Sequence, residues 1–140
     1  MNIVIDTNIF ISALIKNSLT RHLITEFKDN LLFPEFEFTE IKNHLSEILE
    51  KSHLSYKELG DLIKDLLRYV KIVRAEEVIN YRSKASDIIG EIDKDDIIFI
   101  ATALATNAVI WSDDKHFKKQ NIIKTYTTKE IDKMFSEKQE

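Results

Sequence analysis

From Asn2 to Ile5 the chain is a short, mostly apolar, β-branched run ending at Asp6, and apolar positions then recur with helical spacing as far as Ile15. The run predicts a buried strand. The spacing predicts a helix capped by Thr7 or Asn8, whose side-chain oxygens can accept from the unpaired N–H groups of a first turn. A further helix is expected from about Leu19 to Phe27. A short strand follows at Leu31 to Phe33, stopped by Pro34, which has no N–H to give a sheet. Beyond Thr39 the residues Ile41, Leu45, Ile48 and Leu49 hold one helical face, and Leu59, Leu62, Ile63, Leu66 and Leu67 hold another, so two amphipathic helices are expected side by side.

Val70, Ile72 and Val73 predict the next strand and Glu76 to Ile89 the next helix, with Gly90 as its stop before the acidic segment Glu91 to Asp96. Ile97 to Ala105 is apolar on nearly every side, which as a helix means burial, and Val109 to Trp111 then reads as an interior strand. Ile123 to Thr127 is expected as an edge strand. Lys129 to Phe135 is expected as a closing helix with Ile131, Met134 and Phe135 turned inward. This alternation predicts an α/β fold, a three-layer α/β/α sandwich around a mainly parallel sheet.

With 140 residues, 44% of them hydrophobic, one Pro and two Gly, the expectation is a single domain over residues 1–135. Ser136 to Glu140, charged and poor in apolar residues, is expected to fray. Cysteine is absent, so thiolate metal sites, disulfides and cysteine nucleophiles are excluded, and any metal must sit on oxygen or imidazole. Met1 to Asp6 has no basic region ahead of an apolar run, and Ile97 to Ala105 is too short to span a bilayer; no membrane partner and a cytoplasmic location are expected. The net charge of −4 argues against strong nonspecific nucleic-acid binding, while leaving room for a phosphate ligand bridged by metal.

The candidate chemistry lies in the carboxylates. Ligands of an open parallel sheet bind beyond the carboxyl ends of the strands. Asp6 directly follows the first strand, Asp113 and Asp114 follow Val109 to Trp111, and Asp96 sits in the first turn of the helix leading into that strand. Carboxylates a few ångströms apart repel unless a cation neutralises them, and oxygen-only donors favour Mg²⁺ or Mn²⁺. Each acid also has a plainer reading. Asp6 can cap the first helix, Asp93 and Asp96 can form a box-like pair at the start of the buried one, and Asp113 and Asp114 can be ordinary turn residues. Their combination is what points to a site.

That combination carries a resemblance. Asp6-Thr7-Asn8 after an opening strand, an acid in a helix beginning near Thr39, Asp96 ahead of Ile97-Ile98-Phe99-Ile100-Ala101-Thr102-Ala103, and Ser112-Asp113-Asp114 resemble the pattern of the PIN-domain nucleases over nearly the whole chain. Many prokaryotic members of that family are VapC-like toxins. The resemblance implies an endoribonuclease dependent on Mg²⁺ or Mn²⁺, with Asp6, Glu40, Asp96 and Asp114 as its catalytic and metal-holding acids. Ser112 stands where Thr is more often found. Glu37 and Glu47 lie near Glu40, and the residues alone leave the second acid open among the three; Glu40 matches the family's helix position.

Asp93, Asp95 and Asp113 are spare acids, read as surface charge or caps, with Asp93 or Asp113 open as ligands of a second metal. Thr7, Asn8 and Ser112 can support the carboxylates or the phosphate, or, for the first two, simply cap a helix. Lys115, His116, Lys118 and Lys119 form the one basic cluster near the site, and are either substrate contacts or a solvated turn. His22, His44 and His53 show no metal-binding spacing, and His44 reads as structural. Trp111 reads as core, while Phe117 is open between core and base stacking. The implied reaction is in-line hydrolysis of single-stranded RNA that leaves a 5'-phosphate and a 3'-hydroxyl. Apolar surface between Thr39 and Tyr69 could receive an antitoxin protein or a second copy of the chain.

Three rivals fit less well. A receiver-like Mg²⁺-binding signalling domain wants an acidic pair after the first strand, where only Asp6 stands. A haloacid-dehalogenase-type phosphatase wants a second Asp at position 8, which is Asn. A PIN-like module kept only for binding RNA or protein differs in activity and not in pattern.

Overall fold

The computed structural model describes residues 1–16, 18–27, 30–90 and 94–139. In chain order it contains β1 (Asn2–Ile5), α1 (Thr7–Ile15), α2 (Leu19–Glu26), β2 (Asn30–Pro34), α3 (Phe38–Asn43), α4 (Leu45–Ser52), α5 (Tyr56–Leu67), β3 (Val70–Val73), α6 (Ala75–Val78), α7 (Arg82–Ile89), α8 (Lys94–Thr106), β4 (Val109–Trp111), β5 (Thr125–Tyr126) and α9 (Thr128–Gln139). Short 3-10 turns lie at Glu35–Glu37, Ile79–Tyr81 and Lys115–Lys119.

The strands form one sheet in the order β3-β2-β1-β4-β5, and every pairing is parallel. The chain begins at the centre, builds outward through β2 and β3, then crosses back to lay β4 against the free side of β1. Ile3, Val4 and Ile5 are all fully buried. Successive strand side chains point to opposite faces, so burial of three in a row requires cover on both sides. The cover is two helical groups. α1 packs against α2, α3, α4 and α5, and α8 packs against α6, α7 and strands β1, β2 and β4. This is the three-layer α/β/α sandwich expected from the alternation. Its order differs from the 2-1-3-4-5 order of receiver-type sheets, which removes that rival.

α8 is buried on most of its surface: Ile98, Phe99, Ile100, Ala101, Thr102 and Ala103 are all inside. The hydroxyl of Thr102 donates to the Ile98 carbonyl at 2.7 Å, which satisfies the polar atom that this position buries. Gly90 stops α7 as expected, at φ 84°, where a side chain is disfavoured.

Several expectations are corrected. The cap of α1 is Asp6, which accepts from the Asn8 N–H at 3.3 Å; neither Thr7 nor Asn8 plays that part. The helix expected onward from Thr39 breaks at His44, which separates α3 from α4 while Ile41 and Ile48 both stay buried. The helix expected over Glu76 to Ile89 is interrupted by the Ile79–Tyr81 turn, in a stretch of β-branched and aromatic residues with weak helix preference. β5 is shorter than expected, and α9 runs past Phe135 to Gln139. Asp93 lies outside the described residues.

Candidate metal centre

A parallel sheet forces its crossover helices to run against the strands, so each helix begins at the carboxyl edge of the sheet. Asp6 leaves β1 at that edge and Asp114 follows β4 there. Glu40 sits in α3, just after β2, and Asp96 lies in the first turn of α8. These four acids line one cleft of about 310 Å³ together with Thr7, Asn8, His44, Asp95 and Phe99. The four acids implied by the resemblance therefore come together, although they span residues 6 to 114.

β1 and β4 are paired neighbours, with Ile5 opposite Trp111, so the residues following them are neighbours too. The Asp6 N–H donates to the Trp111 carbonyl at 3.0 Å and continues the ladder into the site. Asp6 is only 6% exposed. Ser112, itself buried, donates its hydroxyl to Asp6 Oδ2 and accepts from the Asp114 N–H at 3.0 Å. One hydroxyl thus fixes two of the acids relative to each other. Burial pushes the Asp6 carboxyl above its ordinary range; the bonds from Ser112 and Asn8 oppose that shift, and the charge of Asp114 adds to it.

Asp96 is 7% exposed and faces His116. His116 Nδ1 lies 3.7 Å from Asp96 Oδ2 and 3.5 Å from Asp114 Oδ1, and donor atoms of these three residues all fall within 4.8 Å of one another. The His116 N–H also donates to Asp114 Oδ1 at 2.9 Å, which makes Asp114 the cap of the following turn. A smaller cavity of about 70 Å³ adjoins Asp96 and His116, lined by Ile88, Ile89, Gly90 and Lys119. Oxygen donors with an imidazole at the edge fit a hard or borderline divalent cation, and the chain has no cysteine thiolate to favour a softer one.

Glu37 is the buried acid that sequence reading held only as an alternative to Glu40. It is 2% exposed and accepts from the Thr7 hydroxyl at 3.1 Å. Burial, reinforced by the neighbouring charge of Asp95, pushes its carboxyl up to about 8, against the pull of the Thr7 bond. Asp95, read from sequence as a spare surface acid, lines the cleft. So does His44, whose Nε2 is 3.7 Å from Glu40 Oε2; its apolar neighbours in sequence hid that role. Glu47 instead pairs with Lys51 at 2.6 Å on the outer surface of α4.

Other candidates turn out to be structural. Asp113 accepts from the Thr128 N–H at 2.7 Å and the Thr128 hydroxyl at 2.8 Å, and so caps α9. Lys118 is tied to Glu130 at 2.8 Å and to the Thr125 carbonyl at 3.0 Å. Phe117 is buried and packs edge-on against Phe99. Trp111 is buried, as expected of core, and its Nε1 donates to the Thr128 hydroxyl at 3.0 Å.

A family model described as PIN domain matches residues 4–136. The chain belongs to the PIN domain family. Its fold is also that of two solved structures from bacteria. VapBC2 from Rickettsia felis, bound to a DNA fragment from their promoter, matches with a TM-score of 0.69 at 15% identity over 91% of this chain and 98% of that one. VapBC-1 from nontypeable Haemophilus influenzae matches with a TM-score of 0.68 at 19% identity over 92% and 99%. No curated protein matches the sequence. As a PIN domain, the chain presents its acidic cleft at the carboxyl edge of the sheet, beside the switch between β1 and β4. Among the described residues, no helix is long and apolar enough to cross a membrane.

Proposed function

We propose that this protein is an endoribonuclease, one nuclease domain over residues 1–135, that hydrolyses phosphodiester bonds of single-stranded RNA at a Mg²⁺ or Mn²⁺ centre held by Asp6, Glu40, Asp96 and Asp114. The observation that carries the reading is the convergence of these acids on one cleft in a chain of the PIN domain family. Packed without a counter-charge they repel one another and any phosphate that approaches, so the arrangement makes sense around a cation. When bound, the cation supplies activation of water for in-line attack and stabilises the leaving oxygen. The protein's own part is orientation. Ser112 holds Asp6 and Asp114 in register, the His116 N–H steadies Asp114, and the sheet edge keeps Asp6 from turning away.

Lys119, beside the small cavity next to Asp96, is the member of the basic cluster suited to a flanking phosphate, since Lys118 is engaged elsewhere. The likeness to VapBC structures supports an antitoxin protein as partner and a toxin role for this chain; a homodimer is proposed beside it as a further assembly.

The test is cleavage of labelled single-stranded RNA with Mn²⁺ or Mg²⁺, alongside EDTA and an Asp96→Asn variant with unchanged circular dichroism. We expect cleavage that leaves 5'-phosphate ends, lost with EDTA and reduced at least a hundredfold in the variant, the scale of removing a group that stabilises a transition state. Cleavage that persists in EDTA would overturn the metal reading. No cleavage of varied RNAs with either cation would favour a binding module.

A further inference from the structure

We propose that His116 is a direct ligand of the cation, through Nδ1, and that this nitrogen biases the site toward Mn²⁺ over Mg²⁺. The inference rests on the metal centre proposed above and adds a donor that the four acids do not include. In octahedral coordination at about 2.1 Å, ligand atoms lie about 3.0 Å apart when adjacent and about 4.2 Å apart when opposite. His116 Nδ1 stands 3.7 Å from Asp96 Oδ2 and 3.5 Å from Asp114 Oδ1, between those two distances, so both carboxylates and the ring can share one ion after side-chain shifts of about half an ångström.

The ring is also held where a ligand needs to be. Its backbone N–H is fixed to Asp114 Oδ1, and the turn that carries it is anchored by the buried Phe117 and by Gln120. Gln120 donates to the Phe117 and Ile123 carbonyls at 2.7 Å each. The imidazole itself is half exposed and lines the small cavity beside Asp96, so a cation reaches it without rearranging the core. Mg²⁺ takes oxygen ligands and keeps its waters, whereas an imidazole nitrogen is an ordinary ligand for the first-row transition ions. An oxygen-only cluster would discriminate little between the two cations.

The experiment is pulsed electron paramagnetic resonance of Mn²⁺ bound to the full chain, read for coupling to a ¹⁴N nucleus. It is run on the wild type, His116→Ala and His44→Ala, with the two cations also titrated calorimetrically. His44→Ala is the control because that ring lines the cleft of the four acids. His116→Ala keeps the backbone N–H that holds Asp114, and circular dichroism checks the fold. We expect nitrogen coupling in the wild type and in His44→Ala but not in His116→Ala. The Mn²⁺ affinity should drop about tenfold in His116→Ala with a smaller change for Mg²⁺. Mn²⁺ bound without nitrogen coupling, or coupling that survives in His116→Ala, overturns the inference and leaves the carboxylate centre standing. Absence of Mn²⁺ binding overturns both.

Discussion

Glu37 and Glu40 lie three residues apart and end in opposite surroundings, one sealed behind Thr7 and the other open to the cleft. In a continuous helix that spacing would place both on one face, and for this reason the sequence could not choose between them. The junction of the Glu35–Glu37 turn with α3 separates them. Between its ordinary 4.5 and its folded value of about 8, Glu37 keeps a proton that the unfolded chain has released. Its contribution to stability is therefore complete below about 4.5 and lost as the pH rises through about 8. Urea titrations in EDTA should show Glu37→Gln losing less stability than the wild type across that window, with the larger advantage at its alkaline end. Equal slopes for the two proteins would mean that Glu37 ionises normally. Asp6 and Asp114 were legible because each lies just beyond a short apolar strand, Asp6 directly and Asp114 after Ser112 and Asp113. His44 was not, because its place in the cleft depends on a helix break that local spacing does not encode.

At the scale of elements, the segment after β4 spends its side chains on attachment. Asp113 caps α9 and Lys118 clamps Glu130, whose carboxyl is held down to about 2, chiefly by that Lys118 bond. Asp113→Ala should therefore cost about 0.5–2 kcal/mol in urea unfolding, the usual worth of an N-terminal cap, while cation affinity changes less than twofold. A large loss of affinity would instead make Asp113 part of the metal centre. The elements themselves were readable where apolar periodicity is strong, as in α5, or where a run is apolar on nearly every side, as in α8. They were misread over α6 and α7, where 3-10 geometry replaced part of a helix that no Gly or Pro marked for interruption.

For the whole molecule, the alternation of strand and helix was enough to give a parallel sheet covered on both faces, but strand order is a matter of contacts between distant segments and could not be read locally. If the acidic cleft at the edge of that sheet holds the proposed cation, binding adds to the stability of the fold. Mn²⁺ or Mg²⁺ at about a hundred times its dissociation constant should add about 2.7 kcal/mol, seen as a higher melting temperature. The gain should fall away in Asp96→Asn, and a cation effect equal in both proteins would place the binding elsewhere.

The crossing of the chain from β3 back to β4 has a consequence for synthesis. Asp6 is synthesised more than a hundred residues before its partner Ser112 and the strand that carries Ser112 to it. Because domains fold as units while the chain grows, the unfinished polypeptide holds its acids apart. If the proposed cleavage of RNA holds, the messenger and the ribosome producing the chain are spared by this order, because the acidic cleft is complete only after β4 has emerged and docked beside β1.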